Sequence, residues 1–172
     1  MSEAATKDTG TLTPPTRPEL TLPEAEAAWV RALYAEAEVI LEYGSGGSTV
    51  LAAEQAGKTV FSVESGAAWL TMMQAYFDAN PPLATVHLHH GDIGATKKWG
   101  RPVDDSGWRG YHRYPLGVWD REDFRAPDLV LIDGRFRAAC LLAALMRTEA
   151  PLIVLFDDYA GRTGYHRVEE FV

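Results

Sequence analysis

Five short apolar runs, each leading into an acidic residue, constrain this chain more than any other feature. Val39-Ile40-Leu41 runs into Glu42, Thr59 to Val63 into Glu64, and Ala84 to His89 into His90-Gly91-Asp92. Leu129 to Ile132 ends in Asp133, and Leu152 to Phe156 in the pair Asp157-Asp158. Near-continuous apolar strands, rather than alternating ones, belong to a parallel sheet covered on both faces. Helical spacing fills the intervals. Thr21-Leu22-Pro23-Glu24 has the spacing of a capping box and is followed by Ala27, Val30, Leu33 and Tyr34. Further helices are expected after the glycine turn to about Ala56, over Ala67 to Ala79, over Phe136 to Met146, and from near Thr163. This alternation predicts an α/β fold, Rossmann-like and doubly wound, with a mainly parallel sheet and helices on both faces. Right-handed crossovers then bring all five carboxyl ends to one edge, where open sheets of this type bind ligands.

Between the first strand and its helix lies Glu42-Tyr43-Gly44-Ser45-Gly46-Gly47-Ser48-Thr49. Gly44 and Gly46 have no Cβ to keep a ligand away from the backbone, and the first N–H groups of the helix have no intrahelical acceptor. Twenty residues after Gly44 comes Glu64, the interval at which a βαβ unit sets a carboxylate beside a ribose. A nucleotide-like small molecule is the expected guest. The acidic rim suits one with hydroxyls, amines and a positive centre, because carboxylates accept hydrogen bonds from these and repel a pyrophosphate.

Charge narrows the partners. The chain of 172 residues has a formal net charge of -8, which argues against nucleic acid or an anionic membrane and leaves a small molecule or another protein. Cys140, the sole cysteine, sits in an apolar run and reads as a small buried hydrophobe. Met1 to Leu20 has no apolar core of a signal peptide, and no apolar run is long enough to span a bilayer, so a cytoplasmic protein is expected. Residues 1–20 read as a disordered tail and 21–172 as one domain. Within it, 94–127 reads as an aromatic insertion with seven Lys or Arg against five Asp or Glu, either a functional lid or a cover for a sheet face or subunit interface. A homodimer stays open. His87 and His89 share a strand face without a third metal ligand at suggestive spacing, and Trp69 stands one turn past Glu64.

These residues resemble the class I S-adenosylmethionine-dependent methyltransferases. Glu42 to Ser48 is similar to their acidic-x-Gly-x-Gly-x-Gly motif, Glu64 to the acidic end of their second strand, and Gly91-Asp92-Ile93 to their adenine-side turn. The resemblance implies that Glu42, Gly44, Ser45, Gly46, Gly47 and Ser48 serve the methionine end of S-adenosylmethionine. It sets Glu64 on the ribose, and Ser65, Asp92 and Ile93 around the adenine. Ser48 stands where the family often has its last glycine. The family's sheet usually ends in an antiparallel hairpin, for which this sequence supplies no strands.

Methyl transfer to a small-molecule hydroxyl, the expected O-methylation, needs a base near the acceptor. Asp133, Asp157 and Asp158 are the placed carboxylates, and His112 and His166 are alternative bases. Some small-molecule O-methyltransferases bind a divalent cation at such positions, but the Asp-Asn pair typical of them is missing. No metal ligand is therefore assigned. The rival readings are a non-catalytic methyltransferase-like binding protein and, less favoured, an NAD-dependent oxidoreductase, against which Thr49 occupies the sixth-position glycine.

Overall fold

The structure, a computed structural model, describes residues 16–172. Strand β1 (Val39–Tyr43) is the centre of a five-stranded sheet. It pairs with β2 (Thr59–Glu64) on one side and β6 (Leu129–Ile132) on the other, while β3 (Thr85–His90) and β7 (Ile153–Phe156) form the edges. Every pairing in this sheet is parallel. The expected Rossmann-like α/β architecture is therefore present, and β7 ends the sheet with no antiparallel hairpin among the described residues.

Alternation of side chains across the sheet builds two cores. On one face Ile40, Val60, Leu129 and Leu131 pack against α1 (Glu24–Glu36) and α2 (Gly47–Ala53), and α3 (Ala67–Ala79) covers α2 and β3. On the other, Leu41, Tyr43, Phe61, Val63, Val130 and Ile132 lie under α5 (Arg137–Arg147) and the crossover from β3 to β6. Cys140 is buried in this second core, as expected of a small apolar residue.

Several local expectations change. Helix α1 starts at Glu24 with Pro23 as its N-cap and no side-chain cap, so Thr21 and Glu24 form no capping box. Thr21 and Leu22 belong instead to a strap lying beside the glycine turn. Helix α2 stops at Ala53, short of Ala56; the Ala53 carbonyl accepts from the N–H groups of Leu83 and Ala84, which tie it to the start of β3. The last helix is a 3-10 helix over Thr163–Glu170. Of the tail predicted over 1–20, residues 1–15 lie outside the described residues. The remainder is packed: Pro18 is buried, and Arg17 grips both carboxylate oxygens of Glu54 at 3.1 and 3.0 Å.

The segment 94–127 is the crossover itself, and it divides in two. Its first part is a small antiparallel hairpin, β4 (Thr96–Lys97) and β5 (Arg101–Pro102), followed by a 3-10 helix over Asp105–Gly110. Its second part, with α4 (Arg113–Leu116) and the turn Gly117–Asp120, is core. Tyr114 and Val118 are buried in the second core, and the Tyr43 hydroxyl donates to the Pro115 carbonyl at 2.7 Å and accepts from Trp119 Nε1 at 2.8 Å. Of the two readings of 94–127, cover for a sheet face describes this second part: β2 and β1 lie between β3 and β6, and the chain that bridges them also covers their apolar side chains.

Candidate functional site

The glycine turn follows β1 directly, and its glycines do different work. Gly44 has φ 111°, and a Cβ there would come within 3.0 Å of the Gly134 backbone in the loop after β6. A Cβ on Gly47 would collide with the Glu19 carbonyl of the strap. Gly46 is extended and faces open space, with nothing within 4 Å of a Cβ. Three of the turn's amides are already engaged. Gly44 N–H donates to the Val63 carbonyl at 2.8 Å, Ser45 N–H lies 3.4 Å from Glu64 Oε2, and Gly46 N–H donates to Thr49 Oγ1 at 3.0 Å.

Glu64 is pinned by main chain. Its Oε1 accepts from the N–H groups of Ser65 and Gly66, both at 2.7 Å, leaving Oε2 with only the long Ser45 contact. Ser65 is buried and donates to the Gly100 carbonyl at 2.9 Å, which seats the β4–β5 hairpin over the end of β2. Trp69 Nε1 donates to the Ser45 carbonyl at 2.8 Å, fixing the indole at the rim of the turn. Together with Trp99 of the hairpin and the strap from Pro18 to Leu22, these groups enclose a cavity of about 960 Å³ that includes Gly44 to Ser48.

Three predicted cofactor residues do not line it. Glu42 is fully buried beneath the turn; its Oε1 accepts from the Tyr34 hydroxyl at 2.5 Å, its Oε2 has no partner, and burial raises its pKa above the usual carboxylate range. Ile93 points into the second core. Asp92 turns outward, accepting from Gly94 N–H at 2.9 Å with Arg113 at 3.8 Å. Strand-end position placed all three on the right edge, but side-chain direction was set by packing.

Across β1, the ends of β6 and β7 bring Asp133, Asp157 and Asp158 together around Arg137, which is 5% exposed. The guanidinium donates to Asp133 Oδ1, Asp157 Oδ2 and Asp158 Oδ2, each at 2.9 Å, and also to the carbonyls of Asp133, Gly134 and Asp157. Although burial opposes its charge, the three carboxylates hold its pKa above the ordinary value. Burial, and then the neighbouring Asp157, push Asp133 up to about 7 despite the ion pair. Asp133 also stands where the large cavity meets a smaller one, of about 600 Å³, lined by Asp157 and Asp158.

Sequence reasoning missed Arg137. A signal existed: a cation in the first turn of α5 runs against the helix dipole, and so needs local anions. The same arginine bears on a divalent cation, because the positive charge among these aspartates is already a guanidinium; the donor set does not fit a metal. Among the described residues no group of three or more His, Cys, Asp or Glu is arranged to hold one. His87 stacks on Phe61 at 4.7 Å with Asp123 at 3.1 Å from its Nδ1, and His166 Nε2 is 3.0 Å from the Tyr159 carbonyl. Neither these nor His112 lines the cavity. No helix of the described residues is long and apolar enough to cross a membrane.

No protein-family model matches the chain, and no curated protein does. The crystal structure of a methyltransferase-like protein from Silicibacter pomeroyi DSS-3 is similar to it, with a TM-score of 0.87 and 57% sequence identity over 91% of this chain and 81% of that one. At that identity and coverage, the chain belongs to the family of that methyltransferase-like protein.

Proposed function

We propose that this chain is an S-adenosylmethionine-dependent methyltransferase that methylates a hydroxyl group of a small molecule. The observation that carries the reading is how the turn spends its own donors. With the N–H groups of Gly44, Ser45 and Gly46 engaged, Glu64 Oε2 is presented to the cavity as a carboxylate acceptor at the end of β2, next to the turn. A ribose diol and an ammonium group donate to such an acceptor, whereas a pyrophosphate set against it would be repelled. A cavity of about 960 Å³ is large enough for a nucleoside cofactor together with a small acceptor.

When bound, the cofactor supplies an electrophilic methyl group on a sulfonium. The chain's own residues do the rest. Glu64 accepts from the ribose hydroxyls, and Gly46 leaves the approach to the turn clear. Ser65 holds the hairpin that closes the side wall. Asp133 takes the hydroxyl proton onto its carboxylate; a pKa of about 7 suits a base working near neutrality. Asp157 and Asp158 act as positioning residues, holding Arg137 and through it Asp133.

Calorimetric titration with S-adenosylhomocysteine, and separately with NAD, tests the reading. Heat of binding is expected with the first and none with the second; heat with NAD alone overturns it. Gly46→Val adds a side chain where no atom lies within 4 Å, so the fold should persist while S-adenosylhomocysteine binding is abolished. Unchanged affinity in that variant would mean that the turn is purely structural.

A further inference from the structure

Besides Lys97 and Lys98 of the hairpin, four arginines line the large cavity, and they fall into two groups. Arg137 and Arg162 are committed to aspartates, Arg162 reaching Asp158 at 2.7 Å. Arg135 and Arg101 also line the cavity, and among the described residues neither has a carboxylate within 4.0 Å. Three aspartates converge two residues away, yet they serve Arg137.

Arg135 is also presented rather than loose. Its N–H donates to the Tyr114 hydroxyl at 3.3 Å, and its carbonyl accepts from Cys140 Sγ at 3.3 Å. Phe136, next in the chain, adopts φ 50° and packs on Tyr111 and Tyr114 at ring distances of 4.9 and 5.9 Å. An aromatic residue in the left-handed region is held there only by surroundings that over-determine it. The side chain is half-buried, and burial with the nearby charges of Arg137 and Arg101 disfavours its own charge. An anion placed between Arg135 and Arg101 would relieve both costs. The acids facing the same space are compensated already: Asp133 by Arg137 and Glu64 by main-chain N–H groups, while Glu19 lies on the strap.

We infer that Arg135, assisted by Arg101, receives a carboxylate group of the acceptor, so that the substrate is a small hydroxylated carboxylic acid. The assignment rests on the methyltransferase reading for the word acceptor, but the anion site stands on its own residues. Arg suits the role because its planar fork pairs with a carboxylate through two parallel bonds. Trp69 and Trp99 border the same cavity, which makes aromatic acids suitable probes.

Ligand-observed NMR with benzoate, phenyl phosphate and benzyl alcohol, each with and without S-adenosylhomocysteine, tests it. Benzoate is expected to bind at least tenfold more tightly than benzyl alcohol. Arg135→Gln should erase that preference while leaving S-adenosylhomocysteine affinity within twofold, Arg135→Lys should restore part of it, and the exposed control Arg167→Gln should change nothing. The Arg135 side chain makes no described hydrogen bond, so the variant should melt near the wild-type temperature; Arg101→Gln serves as a second variant should it not. Equal binding of benzoate and benzyl alcohol, no benzoate binding at high millimolar concentration, or a preference surviving Arg135→Gln overturns the inference. A tenfold preference for phenyl phosphate overturns the carboxylate in favour of a phosphorylated ligand. An Arg135-dependent benzoate signal without S-adenosylhomocysteine binding leaves the anion site standing and sinks the cofactor reading; the converse result sinks the anion site alone.

Discussion

At the end of β2, Glu64 is held by main-chain N–H groups, whereas across β1, at the ends of β6 and β7, three aspartates converge on the side chain of Arg137. The two stations share one sheet edge and one kind of charge, yet differ in what remains for a ligand. Backbone donors occupy one oxygen of Glu64 and leave the other for hydrogen bonding. A buried guanidinium neutralises its neighbours and uses up its own donors in doing so. The first station is suited to binding, the second to holding one carboxylate at an intermediate proton affinity. Its integrity also depends on one residue.

Removing that residue is the severest way to break the contrast. Arg137→Met should cost about 3–5 kcal/mol of unfolding free energy, because it leaves several carboxylates converging on an apolar side chain. Urea denaturation near neutral pH measures it, and a loss below about 1 kcal/mol would mean that water replaces the guanidinium readily. Glu64→Gln should act on binding instead. It is expected to weaken S-adenosylhomocysteine about tenfold, or about 1.4 kcal/mol, with little change in stability; calorimetry that shows equal affinity would remove Glu64 from the proposed ribose site. A further test concerns pH. Asp133 has a native pKa of about 7 against an ordinary 3.8, so the native state binds the extra proton between these values and this group's contribution to stability falls as pH rises from about 4 to about 7. Asp133→Asn should flatten that part of the profile relative to wild type. An unchanged slope in urea midpoints would show that Asp133 titrates alike in both states.

Much of this was legible in sequence because it is local. The apolar runs at Val39 to Leu41, Thr59 to Val63 and Leu129 to Ile132 have no stable place except between two layers, and the structure buries them there. Glu64 and the glycine turn were legible because a short βα loop and a strand end must share the sheet edge. Asp92 and Ile93 were located on that edge but not oriented, since a turn residue's direction follows what packs beneath it. Residues 16–20 read as too polar to order, yet Pro18 and Arg17 are held by contacts with groups distant in sequence.

The amino-acid order alone determined a doubly wound parallel sheet, the edge at which its glycine turn and strand ends meet and the acidic character of that edge, because hydrophobic period and glycine placement act over a few neighbouring residues. Only the tertiary structure decided that Tyr114 and Val118 of the crossover are core, that Arg137 gathers aspartates from two strands, and that Arg135 faces the cavity unmatched by them. Those outcomes depend on which charges and rings meet across twenty to seventy residues of chain, where packing and desolvation, rather than local preference, set the partner.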